Sequence, residues 1–425
     1  MIKLLNFELS RALRDELLLL DSQAMKNRWI VLSASVLFQT VLGGIYAWST
    51  FSPSLMEVYG LNNAQSSFIF GLTIAVFTLS MIYAGRLLRK RGPRLTANLS
   101  AFLYMTGYLL ASVSNGRFIL LLISLGVITG AGIGFGYVGP ISVSMKWFPE
   151  KKGLITGIAV AGFGGGAVLL STVAGIFIDS GTDVLLFFRW MGILLGAVLL
   201  TAAQGMAEPT KTGAGTLPSS VRVSDKARTP QFLLITAALF AGTFAGLLVI
   251  GNLVPMVREA GLSGAHAIAA VSVFAAGNAV GRISWGHLFD HFGFASIPSS
   301  LLFFAAAVFI LLLPLSSWLL LLMSAVLGFG FGYCFVIYAS AISRFYGIDS
   351  FPVLYPLAFL GYGAAGIFGP VAGGQLADST GSFDSAIIVS LAVLVAAGAS
   401  TLWGLRFFEE KSRIELPLQA DLQDS

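Results

Sequence analysis

GRLLRKRGPR, residues 85–94, sets five Lys/Arg side chains among ten positions, with glycines at 85 and 92. It separates two apolar runs, near 65–84 and 95–113. Each has roughly the 20 residues a helix needs to cross a bilayer. A companion stretch, GHLFDHFG at 286–293, separates two further runs, near 266–286 and 296–314. Gly85-x6-Gly92 therefore recurs as Gly286-x6-Gly293 at an offset of 201. GFGY at 134–137 recurs at 330–333, an offset of 196, and Gly162-Phe163-Gly164 is echoed by Gly361-Tyr362-Gly363, an offset of 199. Three echoes at nearly one offset, each in an equivalent span or loop, describe a duplicated chain.

Working outward, twelve apolar runs lie near 29–51, 65–84, 95–113, 118–145, 154–178, 184–206, 231–255, 266–286, 296–314, 318–342, 353–376 and 385–405. The chain is 56% hydrophobic and 11% charged, where a soluble protein carries about 25% charged residues. Lys and Arg crowd alternate loops, at 86–94, 146–152 and 211–228, and the N-terminus holds Lys3, Arg11, Arg14, Lys26 and Arg28. The opposite loops hold only Arg117, Arg189 and Arg258. Positive charge stays inside, so both termini are expected in the cytoplasm and the protein in the inner (cytoplasmic) membrane. The net charge of +5 is explained by this topology, and no nucleic-acid partner is expected. Residues 207–230, rich in Pro, Gly, Ser and Thr, read as a cytoplasmic linker.

The expected fold is an all-α polytopic membrane protein with twelve transmembrane helices in two pseudo-symmetric six-helix bundles, 29–206 and 231–405. A cytoplasmic N-terminal segment, 1–28, and a cytoplasmic tail, 406–425, flank them. Residues 1–27 carry charges throughout and lack the apolar core of a signal peptide. FELSRALRDELLLLD reads either as an amphipathic helix on the membrane surface or as sequence ahead of a start at Met25, and no function is assigned to it. Small residues every fourth position, Gly153-Gly157-Ala161-Gly165 and Gly361-Ala365-Gly369-Gly373, predict close helix packing.

The loop at 85–94 resembles the Gly-x3-Asp-Arg/Lys-x-Gly-Arg/Lys-Arg/Lys motif of the major facilitator superfamily, whose architecture is a parallel repeat of six spans. Arg89 stands where the family carries Asp, so the charge relay ascribed to that loop lacks its acid, whereas the second copy keeps one as Asp290. By this resemblance Gly85, Arg89 and Gly92, with Gly286, Asp290 and Gly293, are expected in the conformational-gating loops. GGIYAWSTFSPSL (43–55) resembles the first span of the oxalate/formate antiporter family. KWFPEKKGLITGIAVAGFGGG (146–166) and GNAVGRISWGHLFD (277–290) resemble signatures shared with monocarboxylate porters, whose eighth-span arginine corresponds to Arg282.

Arg282 is the one Lys or Arg deep inside an apolar run. A guanidinium in hydrocarbon is costly and persists where it faces protein or water and meets an anion. The bland alternative is snorkelling to the headgroups, since only eight residues separate it from Asp290. Relatives that exchange oxalate carry a span-eleven lysine where Tyr362 stands here, and span eleven has no Lys or Arg. One arginine forks onto one carboxylate, so a monocarboxylate is favoured over oxalate. Asn278 precedes Arg282 by one turn on the same face. Tyr46, Tyr137, Tyr333 and Tyr362 offer a ring to the apolar part of a ligand and a hydroxyl to its carboxylate, or else simply pack. Trp48 and Asn252 are weaker candidates.

The reading is thus a secondary transporter of lactate-, formate- or pyruvate-like acids with a small carboxylate as partner, embedded in the lipid bilayer and acting as a monomer. Proton symport is expected, the proton riding on the acid itself or on a loop-proximal group such as Asp290. An oxalate/formate-type exchanger and a transporter-like sensor are the alternatives. Neither a metal nor a cofactor is expected. The one cysteine, Cys334, cannot make an intramolecular disulfide or a thiolate cluster. The Gly-x-Gly runs lie inside apolar spans rather than between a strand and a helix, which argues against an enzyme and against ATP-driven pumping.

Overall fold

A computed structural model describes residues 27–209, 223–259 and 264–420. Residues 1–26, 210–222, 260–263 and 421–425 lie outside the described residues, and with them fall the N-terminal amphipathic segment and most of the linker. The described residues are helical and contain no strand.

Among the described residues twelve long rods emerge: α1 Asn27–Ala47, running on into Trp48–Tyr59; α2 Asn63–Arg91; α3 Pro93–Ser112; α4 Phe118–Trp147; α5 Lys152–Asp179; α6 Val184–Gln204; α7 Pro230–Ile250; α8 Gly264–Phe292; α9 Ser296–Ile310; α10 Ser317–Tyr346; α11 Phe351–Thr380; and α12 Asp384–Ala420, apolar to Gly404. Length and hydropathy alone mark ten of these stretches as able to span a membrane. Two effects account for the difference. The stretch Ala269–Ile310 is two rods, α8 and α9, folded at Gly293, where φ is +58°. The α3 rod buries Thr96, Ser100, Tyr104, Tyr108 and Ser112, polar groups that dilute its hydropathy while facing protein.

Local chemistry sets the rod ends. Asn62 and Gln65 form a capping box at α2. Thr229 followed by Pro230 starts α7, Asp183 caps α6 and Ser316 caps α10. Gly92, at φ +84°, makes the turn into α3, as Gly293 does between α8 and α9.

Glycine sets how the rods pack, and it does so twice. A Cβ on Gly130 or Gly134 of α4 would meet the backbone oxygens of Thr73 and Phe77 in α2 at 2.9 and 2.5 Å. A Cβ on Gly328 or Gly332 of α10 would meet the Phe274 oxygen at 2.0 Å and the Arg282 nitrogen at 2.7 Å in α8. The pair α2/α4 is therefore repeated by α8/α10, as duplication requires. The stripe in α11 packs on α7, where a Gly373 Cβ would sit 2.7 Å from the Leu248 oxygen. In α5, Gly162 and Gly166 pack on α1, while Gly153 and Gly157 turn to α8 of the other bundle.

The two bundles meet along α5/α8 and α2/α11. At the end bearing the Lys/Arg-rich loops both seams are tight. A Gly153 Cβ would lie 2.2 Å from the Gly286 oxygen, and a Gly85 Cβ 1.6 Å from the Pro352 oxygen. Toward the opposite end they part: Gly165 has nothing within 4 Å, and Gly366 only a methyl at 3.9 Å. A cavity of about 480 Å³ opens there between α5 and α8, bordered by Gly165, Leu169, Thr172, Ser272, Ala276 and Ala279.

Candidate functional site

Arg282 sits where the α5/α8 seam changes from closed to open. It is 4% exposed, so its guanidinium does not snorkel. Nη1 donates to the Val160 carbonyl of α5 at 2.6 Å, and the guanidinium carbon lies 4.5 Å from the Phe335 ring centroid. That contact combines cation–π attraction with desolvation. Nε has no hydrogen-bond partner among the described residues, and no acidic side chain pairs with the guanidinium there. Gly164 leaves the space beside it: a Cβ at that position would stand 3.4 Å from Nη1.

Tyr46 of α1, Tyr137 of α4, and Tyr355 and Tyr362 of α11 lie around Arg282. Their rings are held by Phe163, 5.7 Å from Tyr46 and 5.2 Å from Tyr137, and by Phe359, 5.2 Å from Tyr137 and 4.9 Å from Tyr362. The phenols of Tyr46 and Tyr362 hydrogen-bond each other, joining the two bundles beside the arginine.

Three of the sequence candidates thus converge on Arg282: Tyr46, Tyr137 and Tyr362. Tyr333 goes elsewhere. Its ring packs on Phe304, Trp285 and Tyr338, and its hydroxyl abuts Gly242 of α7, inside one bundle. The echo of GFGY fails here because the packing register differs from it by two residues: Gly332 stands against α8 as Gly134 stands against α2, so Phe335, at the guanidinium, is the counterpart of Tyr137. A 3-10 turn, Gly44–Ala47, carries Tyr46 in α1. Asn278 donates to the Gly328 carbonyl at 3.2 Å and so ties α8 to α10. Asn252 donates to Leu248 and Pro370, tying α7 to α11, and Trp48 lines a void of about 20 Å³ within the first bundle.

The repeated loops divide their labour. Both oxygens of Asp290 accept backbone N–H groups of the other bundle, Gly153 at 2.7 Å and Leu154 at 2.8 Å. They cap α5, whose own N-cap, Lys151, supplies no side-chain bond. Arg89 is exposed, and α11 starts from Ser350 without a side-chain cap. Gly85 and Gly286 are close-contact points in the two seams, and Gly92 and Gly293 are the turns behind them.

Duplicated bundles, seams shut at one end only, and a buried cation at the point of divergence define a multi-pass membrane transporter. The chain matches the model of the Major Facilitator Superfamily over residues 29–350 and again over 234–423, and it belongs to that superfamily. It is similar to the uncharacterised MFS-type transporter YhjX of Escherichia coli (strain K12), 29% identical over 81% of this chain and 87% of that one. Similarity extends to the oxalate:formate antiporter of Oxalobacter formigenes, 26% identical over 88% and 91%, and to human monocarboxylate transporter 11, 24% identical over 89% and 82%. In fold it is similar to the crystal structure of FucP in the outward conformation, with a TM-score of 0.69 at 16% identity, covering 89% of this chain and 99% of that one.

Proposed function

We propose that this protein carries small monocarboxylates of the lactate, formate or pyruvate type across the inner membrane by alternating access, with proton symport. Both termini and the linker 207–230 lie in the cytoplasm, and the bundles 29–206 and 231–405 rock as units, within a monomer. The observation that carries this reading is Arg282, buried with a free Nε and without an acidic partner among the described residues. A carboxylate entering through the cavity above Gly165 would pair with the guanidinium, and Tyr46, Tyr137 and Tyr362 would close on its remaining atoms. Pairing removes the cost of an unmatched charge in the occluded state. With no acid at Arg282, the proton is best carried by the substrate itself. Gly85, Gly92, Gly286, Asp290 and Gly293 hold the cytoplasmic seams shut until the site fills; Arg89 has no such contact to offer.

Exchange of formate-like acids for oxalate is the second reading, favoured by the similarity to the Oxalobacter formigenes antiporter. A single buried arginine argues against a dianion. Thermal stabilisation of the purified protein by lactate, formate and oxalate, with Arg282→Ala as control, separates the two. Stabilisation by lactate or formate that vanishes in the variant is expected. Stabilisation by oxalate alone would overturn the monocarboxylate assignment.

A further inference from the structure

Arg282 is rooted in the closed part of the α5/α8 seam but reaches toward the open part. Gly157 of α5 stands against its backbone, where a Cβ would come to 2.4 Å of the Arg282 carbonyl oxygen. Its Nη1 donates to Val160, and a Cβ on Gly164 would lie 3.4 Å from the same nitrogen. Side chains of a helix lean toward its N-terminus, and α8 runs from Gly264 at the open end to Phe292 at the basic loops. The guanidinium is therefore delivered one to two turns of α5 nearer the open end than the backbone that carries it.

The cavity between α5 and α8 starts beside the residues that frame this group. Gly165 adjoins Gly164, Ala279 precedes Arg282 by three positions, and both border the cavity. From there it follows α5 over residues 165–173, about 12 Å at 1.5 Å per residue. Its volume, about 480 Å³, is of the order that holds a drug-sized ligand, far more than formate or lactate fills. Val168, Leu169 and Val173 present exposed apolar side chains to it, while Ala276 and Ala279 keep the facing wall of α8 low. Thr172 and Ser272 are its polar side chains, and Thr172 donates to the Val168 carbonyl of its own helix at 2.9 Å. No Lys, Arg, Asp or Glu among the described residues borders it. On its other side the guanidinium meets the Phe335 ring and the bonded phenols of Tyr46 and Tyr362.

We propose that this cavity is a tail subsite: the substrate's carboxylate pairs with Arg282 and its hydrocarbon chain lies between α5 and α8. The inference rests on the monocarboxylate reading above and narrows its substrate class to acids with an alkyl chain. At roughly 1.5 Å per bond the cavity takes a chain of up to about eight carbons. A cation at the closed end with apolar walls beyond it complements a single-headed anion with an apolar tail. A sugar or a second carboxylate would instead lose water against Val168, Leu169 and Val173 without gaining donors. Gly165, Val168, Ala276 and Ala279 are thereby the residues that set chain length.

The test is binding of a graded series, acetate, butyrate, hexanoate and octanoate, read by calorimetry and by competition with labelled lactate uptake in proteoliposomes. Each methylene moved from water to this lining should tighten binding about threefold, roughly eightyfold from acetate to hexanoate. In Ala276→Leu, which fills the cavity, the hexanoate-to-acetate ratio should collapse to a few-fold. Val168→Ser, which keeps the space but makes the wall polar, should lower the same ratio severalfold and keeps the test available if the leucine variant misfolds. A flat series in a parent that binds lactate overturns the tail subsite alone. So does a slope that both variants leave intact, since the chain then lies elsewhere. A slope that survives in Arg282→Ala also overturns it, because the cavity is then a seat for any lipid or detergent chain. A parent that binds no carboxylate overturns the reading of Arg282 and the subsite with it.

Discussion

At the residue scale the decisive group is a guanidinium enclosed by protein. Arg282 offers a planar fork, of which one arm already holds the Val160 carbonyl. Arg282→Lys keeps the charge but loses the fork and the stacking on Phe335. Uptake should fall roughly a hundredfold, about 3 kcal/mol of transition-state stabilisation, with the melting temperature little changed. Near-normal uptake by the lysine variant would remove Arg282 from the site. Tyr362→Lys tests the selectivity argument, since it places a second cation beside the first. The expected outcome is a shift in competition assays from lactate toward oxalate. A functional variant with the parent's selectivity would show that Tyr362 does not contact the ligand.

Between elements, two features of α5 make opposite predictions from the same residue type. Gly157 lies against the Arg282 carbonyl, and a Cβ there would approach to 2.4 Å of backbone, so Gly157→Val should force α5 from α8 and open the basic-loop end. Gly165 borders the cavity with nothing within 4 Å, so Gly165→Leu should fold normally yet obstruct entry to the site. Melting curves and uptake of the two variants should therefore separate: stability lost in the first, transport lost with stability kept in the second. Asp290→Asn retains shape but gives up the charge-assisted cap on α5, a loss of about 1 kcal/mol. It should appear as a lower melting temperature and greater proteolytic accessibility of the 4–5 loop; an unaltered loop would mean that the cap does not hold the seam.

Across the whole molecule, the seams are shut at the basic-loop end and parted at the other. A single cysteine introduced by Ala276→Cys, in a Cys334→Ser background, should react with a membrane-impermeant thiol reagent from the face opposite the basic loops, and lactate should slow the reaction. Labelling from the basic-loop face instead would reverse the assigned direction of opening.

Fold class and duplication were legible in the linear chain because each rests on local chemistry. Apolar runs of spanning length, glycines at fixed spacing and loops crowded with Lys/Arg need no tertiary information to be read. Arg282 was legible for the same reason: its cost in hydrocarbon is a property of the residue and its neighbours in sequence. Tertiary structure alone decided which aromatic residues reach it. Tyr137 and Tyr333 occupy matching GFGY copies, yet the helices pack with Gly332 in the place of Gly134, which delivers Phe335 as the counterpart of Tyr137. Asn278 holds α10 through the Gly328 carbonyl of that neighbouring helix. Helix existence follows from the chain itself, whereas rotation about a helix axis follows from packing between rods, and side-chain partners depend on that rotation.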